Sequence, residues 1–164
     1  MDLLTEFFRH NTMMNERLLE TCRQLTAEQL AATTEGTFGS IGATLVHIAN
    51  AQTGYAARLH GTERPERLPE DPFPGFDAVS ERFRLGNQQL EQAARRGPTD
   101  KEVVVGGDDE EAWRLPVSLI LIQAVNHGTE HRSQISTILS QIGVEPPEMD
   151  GWNYFGHSGL MVRA

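Results

Sequence analysis

Two stretches of this chain carry mostly apolar residues in alternating steps of four and three, and two more carry an apolar face at helical spacing, a pattern that commits most of its length to amphipathic helix. Over residues 2–24 the stripe is Leu4, Phe8, Asn11, Asn15, Leu18, Cys22 and Leu25. A second, ending near His60, is Ile41, Leu45, Ile48, Gln52, Tyr55 and Leu59. A weaker third, over 77–96, is Val79, Phe83, Leu90 and Ala94. The fourth holds Val117, Ile120, Leu121, Ala124, Ile135, Ile138, Leu139 and Ile142. Two polar members of the first stripe, Asn11 and Asn15, read as boundary residues satisfied by water or, alternatively, as the border of a polar pocket.

Punctuation between the stripes agrees with this division. Thr26-Ala27-Glu28-Gln29 has the form of a capping box and opens a short helical turn. Thr33, Thr34, Gly36 and Gly39 mark a loop, and Ser40 is suited to cap the second helix. Gly61 suits its end. Pro65, Pro69, Pro72 and Pro74 make the next connection irregular, and Asp77 can cap the third helix. Gly97-Pro98 ends that helix, Pro116 suits the first turn of the fourth, and Gly143 with Pro146-Pro147 stops it. Val103-Val104-Val105, Gly106-Gly107 and Ala112-Trp113 fit a short hairpin or an ordered loop, with Asp108 to Glu111 as a solvated acidic turn. Trp152 to Phe155 form an aromatic tail able to pack back onto the helices. Gly128 falls inside the apolar face of the fourth helix, where a missing side chain lets another helix approach. The expected fold is all-α: an up-down four-helix bundle with long connections, one domain over 1–164.

Charge narrows the function classes. The 164 residues carry 14 basic against 23 acidic side chains, a formal net charge of -9, and the basic residues are scattered. That pattern gives no footprint for nucleic acid. The lone cysteine, Cys22, excludes an internal disulfide and suits a reducing cytoplasm; its place on the core stripe favours a small buried apolar residue over a nucleophile. Asp2 and Glu6 stand where a signal peptide would be basic, and no window approaches the ~20 apolar residues of a membrane span.

The chemistry lies in the histidines. His127 and His131 are four apart, one turn along one helical face, a spacing at which two imidazoles can grip one ion. Both sit on the margin of the fourth apolar stripe, and His47 sits about 100° from Ile48 on the margin of the second. Bundles build metal sites from side chains on facing helices. Three neutral imidazoles leave positions open for water or substrate and leave the ion its full charge. Gly128 follows His127 where a zinc protease needs glutamate, so that assignment fails. Glu130 precedes His131 but points round the helix, a poor general base. The remaining histidines, His10, His60 and His157, read as solvated, His157 with the alternative of folding over the pocket.

Three segments resemble a known family. Thr37-Phe38-Gly39-Ser40-Ile41-Gly42-Ala43-Thr44-Leu45-Val46-His47-Ile48 resembles the second-helix motif of the DinB/YfiT-like family of damage-inducible proteins. His127-Gly128-Thr129-Glu130-His131-Arg132-Ser133-Gln134-Ile135 resembles its H-x-x-x-H-R-x-Q-I motif, and Leu25-Thr26-Ala27-Glu28-Gln29-Leu30 its stretch after the first helix. The resemblance runs through nearly the whole chain. It implies a four-helix bundle, often dimeric, in which His47, His127 and His131 hold a divalent metal. It also implies, for some members, thiol-dependent transfer or isomerisation using mycothiol or bacillithiol.

Three functions are therefore open. The metal could activate a small thiol for attack on an electrophile, with Gln123, Gln134 and Tyr55 as pocket candidates. It could activate water for hydrolysis, which wants a carboxylate that only Glu130 offers. Or it could bind metal without catalysis. Imidazole suits zinc, nickel, copper and iron, with zinc or nickel expected. The expected partners are a small-molecule substrate and a second copy of the chain.

Overall fold

The computed structural model describes residues 2–97, 101–106 and 111–161. Its elements in chain order are α1 (Leu3–Arg23), α2 (Ala27–Leu30), α3 (Ile41–His60), α4 (Phe76–Arg96), β1 (Glu102–Val105), β2 (Trp113–Pro116), α5 (Val117–Gln141) and α6 (Gly151–His157). The four long helices form the bundle, each of α1 and α3 packing against both α4 and α5.

Local chemistry sets the boundaries. The Asp2 carboxylate accepts from Thr5 N–H at the start of α1. Thr26 and Gln29 form the reciprocal capping box on α2. Ser40 Oγ accepts from Ala43 N–H and opens α3, and Gly61 closes it in the left-handed conformation, φ 64°. Asp77 does not cap α4. That helix begins one residue earlier at Phe76, after Gly75 at φ 95°, and Asp77 lies in its first turn. Pro116 ends β2 and immediately precedes α5. The hairpin forms, with Val103 opposite Leu115 and Val105 opposite Trp113. Glu111 is exposed, while the rest of the acidic turn, Asp108 to Glu110, lies outside the described residues.

Helix directions follow from paired contacts. Arg9 meets Glu91 and Arg23 meets Asp77, so α1 and α4 are antiparallel. Asn50 meets Arg82 and His60 meets Arg96, so α3 and α4 run the same way. His131 lies beside His47 and Gln123 beside Tyr55, so α5 is antiparallel to α3. The order is up, down, down, up. The proline-rich connection 61–75 makes this possible by returning the chain along the length of the bundle.

The interior consists of two apolar clusters. One gathers Leu18, Cys22, Ile41, Leu45, Ile48, Val79, Phe83, Ile135, Ile138 and Leu139. The other gathers Phe8, Ala56, Leu90, Leu121 and Ala124. On every long helix, polar or glycine positions lie between the two: Asn11 and Asn15, Gln52, Gly86 and Asn87, Gly128 and Arg132. Asn11 and Asn15 are thus not wetted boundary residues. Each is 1% exposed, and both accept from Arg132 Nη1 at 2.7 Å. Asn15 also donates to Asn87 Oδ1 at 3.1 Å. Arg132 is 3% exposed, and burial pushes its guanidinium down to about 10. Gly128 gives this network its room: a Cβ there would stand 2.9 Å from Arg132 Nη1 and 3.0 Å from Asn11 Oδ1.

The aromatic tail packs back through Tyr154, and Arg17 bonds the neighbouring Asn153 Oδ1. Tyr154 is buried and donates to Glu6 Oε2 at 2.6 Å, whereas Trp152 is exposed. Cys22 is buried, and burial pushes its thiol up to about 12, which makes it inert.

Candidate metal centre

His47 enters the site from α3, and His127 and His131 enter one turn apart from α5. One ring nitrogen from each lies within 4.8 Å of the others. His47 Nε2 and His127 Nε2 stand 3.0 Å apart. Two imidazole lone pairs that close repel unless a proton or a cation lies between them. Tetrahedral zinc, with bonds of 2.0–2.1 Å, holds its nitrogens about 3.3 Å apart, so small ring rotations convert this cluster into a ligand set.

The back sides of the rings differ. His131 Nδ1 donates to Gln134 Oε1 at 2.9 Å, which leaves its Nε2 lone pair for the site. His47 Nδ1 lies 3.3 Å from Glu70 Oε1, and Arg67 holds that carboxylate at 2.7 Å. His127 Nδ1 is buried and finds no partner among the described residues. Carbonyl and carboxylate partners on the far nitrogen are how metal-binding histidines are oriented. Two of the three rings have them, and that fits a resident ion. Burial, with the neighbouring His131 and His47, pushes His127 down to about 4; burial also lowers His47, against the opposing pull of Glu70. Both rings are therefore neutral at neutral pH and ready to donate lone pairs.

Phe38 covers one side. Its ring centroid is 3.9 Å from that of His47 and 5.3 Å from that of His131. Its N–H donates to Gln134 Oε1 at 3.2 Å, so a single amide oxygen ties both the α2–α3 loop and His131. On the other side, Tyr55 meets His127 edge-on at 5.8 Å, and Gln123 donates to the Tyr55 hydroxyl at 3.4 Å. Two of the three pocket candidates border the cluster, Gln134 behind a ring and Tyr55 beside one, while Gln123 is exposed and reaches it only through Tyr55.

Glu130 is exposed on α5 and takes no part. His157 is exposed on α6, bonded to Asn153 O at 2.8 Å. His10 and His60 are not simply solvated. His10 is half-buried, with Nε2 3.2 Å from Met149 O, and His60 Nε2 lies 3.0 Å from Gln89 O.

Sequence reasoning missed Phe38, Glu70 and Arg67 as site residues. Phe38 had a usable signal, an aromatic two residues before the Ser40 cap that brings α3 into the site. Glu70 and Arg67 had none, because they lie in a proline-rich connection without periodicity.

Comparison with known proteins agrees with this architecture. The DinB family model matches residues 1–157. Protein DinB of Bacillus subtilis (strain 168) is 24% identical over 156 residues, covering 87% of each chain. The crystal structure of a DinB-like protein from Bacillus cereus ATCC 10987 superposes with a TM-score of 0.62 at 19% identity, over 87% of this chain and 94% of that one. A helical bundle with three histidines gathered at one seam, matched along nearly its full length by that family model, belongs to the DinB family.

Proposed function

We propose that this protein is a metal-dependent enzyme in which His47, His127 and His131 hold a divalent ion, zinc or nickel, and a small thiol is activated there for transfer to an electrophile. The observation that carries the reading is the convergence of three imidazole nitrogens within 4.8 Å, with no fourth His, Cys, Asp or Glu ligand in the group among the described residues. A closed structural site has four protein ligands, whereas three leave a position for a reactant. When bound, the ion supplies Lewis acidity, stabilising the anion of a thiol or water that reaches it.

The chain's own residues divide the remaining work. Gln134 fixes the tautomer of His131, and Glu70 orients His47. Phe38 shields one side from water. The Tyr55 hydroxyl and the Gln123 amide offer polar contacts at the mouth.

Thiol chemistry is favoured over hydrolysis because, among the described residues, no carboxylate joins the three imidazoles as a free proton acceptor. Glu70 is engaged by His47 and Arg67, and Glu130 is exposed and elsewhere. A thiol near the ion can release its proton to solvent near neutral pH and attack as the thiolate, while hydrolysis also needs a group to protonate the leaving atom. The test is consumption of an electrophile such as an activated haloarene by zinc- or nickel-loaded protein, with and without a low-molecular-weight thiol. Thiol-dependent turnover lost in His131→Ala supports the reading. Product release without thiol would favour the hydrolase, and no turnover despite bound metal would favour a non-catalytic metal-binding bundle.

A homodimer is part of the same proposal. Leu3 and Phe7 on α1 and Leu119 and Ile122 on α5 are exposed apolar side chains of the kind a second copy would cover. Sedimentation equilibrium of the wild type against Phe7→Glu tests it.

A further inference from the structure

One face of α3 extends the histidine site toward positive charge. His47, Ala51, Gly54 and Arg58 lie within roughly 60° of one another around the helix. Gly54 stands about 10 Å along the axis from His47. At Gly54 the helix has no side chain, and the guanidinium of Arg64 lies in its place: a Cβ there would be 3.0 Å from Arg64 Nε and 3.1 Å from its Cζ and Nη2. Arg64 comes from the connection 61–75, which also carries Arg67.

Arg58, Arg64 and Arg67 therefore lie near enough for the first and last to act on Arg64 by charge, in a chain whose net charge is -9. Arg67 is paired with Glu70. Among the described residues no carboxylate pairs with Arg58 or Arg64. Burial, then the like charges of Arg67 and Arg58, hold the Arg64 guanidinium below its ordinary range, with Tyr55 alone opposing. Like charges held together without counter-ions are unfavourable unless an anion joins them, and a guanidinium fork matches a carboxylate's two oxygens. Tyr55, on α3 like Arg58, acts on Arg64 and meets the His127 ring edge-on across the seam with α5.

We propose that Arg64 and Arg58 form an anion subsite that receives a carboxylate of the small molecule whose reacting end lies at the three histidines, about 10 Å away. This rests on the proposed small-molecule site. It adds a substrate class: an elongated molecule with a carboxylate at one end and the reacting group at the other. Gly54 is a specificity determinant, because its bare backbone seats Arg64 against α3.

Two measurements test the subsite separately from the metal. In metal-free protein, hexanoate is titrated while the arginine Nε–H resonances are followed by NMR. Saturable shifts confined to Arg64 and Arg58, weakened in Gly54→Ala and absent in Arg64→Gln, support it. Non-saturating shifts spread over all arginines overturn it. In cobalt-loaded protein, mercaptooctanoate and neutral mercaptooctanol are compared by sulfur-to-cobalt charge-transfer absorbance. Mercaptooctanoate should bind roughly tenfold more tightly, a preference lost in Arg64→Gln while mercaptooctanol binding is unchanged. Equal affinities overturn the subsite. No absorbance band with either thiol refutes the thiol reading instead, and the hexanoate titration then decides the subsite alone.

Discussion

Gln134 accepts from His131 Nδ1 at 2.9 Å and from the Phe38 N–H at 3.2 Å with the same side-chain oxygen. One residue thus sets a ring tautomer and fastens the loop that shields the site. Gln134→Ala should weaken zinc binding about 10–100-fold, the usual cost of losing such a partner. Gln134→Glu keeps an acceptor and should retain most of the affinity. Competition with a chromogenic chelator measures both, and an unchanged affinity in Gln134→Ala would contradict the role.

Arg132 is the keystone of the polar layer, with Nη1 donating to Asn11 and Asn15 and Nη2 to Thr129 Oγ1. Arg132→Ala leaves the Asn11 and Asn15 oxygens buried without that donor and should cost about 3 kcal/mol. Arg132→Lys should not rescue, since an ammonium lacks the fork that spans them. Gly128→Ala gains ~1 kcal/mol of helix propensity yet should still destabilise, because the new Cβ meets Arg132 Nη1 at 2.9 Å. Urea unfolding measures all three, and a stabilised Gly128→Ala would contradict the packing described.

Metal-free protein should lose stability as pH falls from about 6.5 toward 4. His127 sits at about 4 against an ordinary value of 6.5, and His47 is also lowered. The unfolded chain therefore takes up protons first on acidification, so the stabilisation is complete above pH 6.5 and lost below it. Both rings are partly open to solvent, which limits the loss to ~1–2 kcal/mol. His127→Gln should flatten this slope in urea midpoints taken across the window. An identical slope in the variant would contradict the assignment.

Tyr154 is the tail's buried anchor, beside the bonds that Arg17 gives Asn153 and Glu148 O. Tyr154 donates to Glu6 Oε2 at 2.6 Å, and burial followed by that carboxylate pushes the phenol up to about 12. Tyr154→Phe should cost ~1.5–3 kcal/mol and speed hydrogen exchange in α6 more than in α3. Equal exchange in both proteins would show that α6 is held otherwise.

What the sequence made legible follows physical periodicity. The stripes and caps of α1, α3 and α5 carry enough pattern to place His47, His127 and His131 on facing margins. The direction of α4 was not legible, because it depends on a crossover whose prolines specify only irregularity. Asn11, Asn15 and Arg132 each look like surface residues in isolation. Their burial emerges only when three helices bring them to one level, a long-range pairing that no local window contains. Glu70 and Arg67 reach the site from that same crossover, so their roles rest on tertiary placement alone.

The most direct test of the central claim is calorimetric titration of zinc into untagged, chelator-treated protein. One ion per chain should bind, with affinity falling at least about 100-fold in each of His47→Ala, His127→Ala and His131→Ala while all three stay folded by circular dichroism. Zinc binding of equal strength in wild type and the three variants, or none in the wild type, would contradict the account.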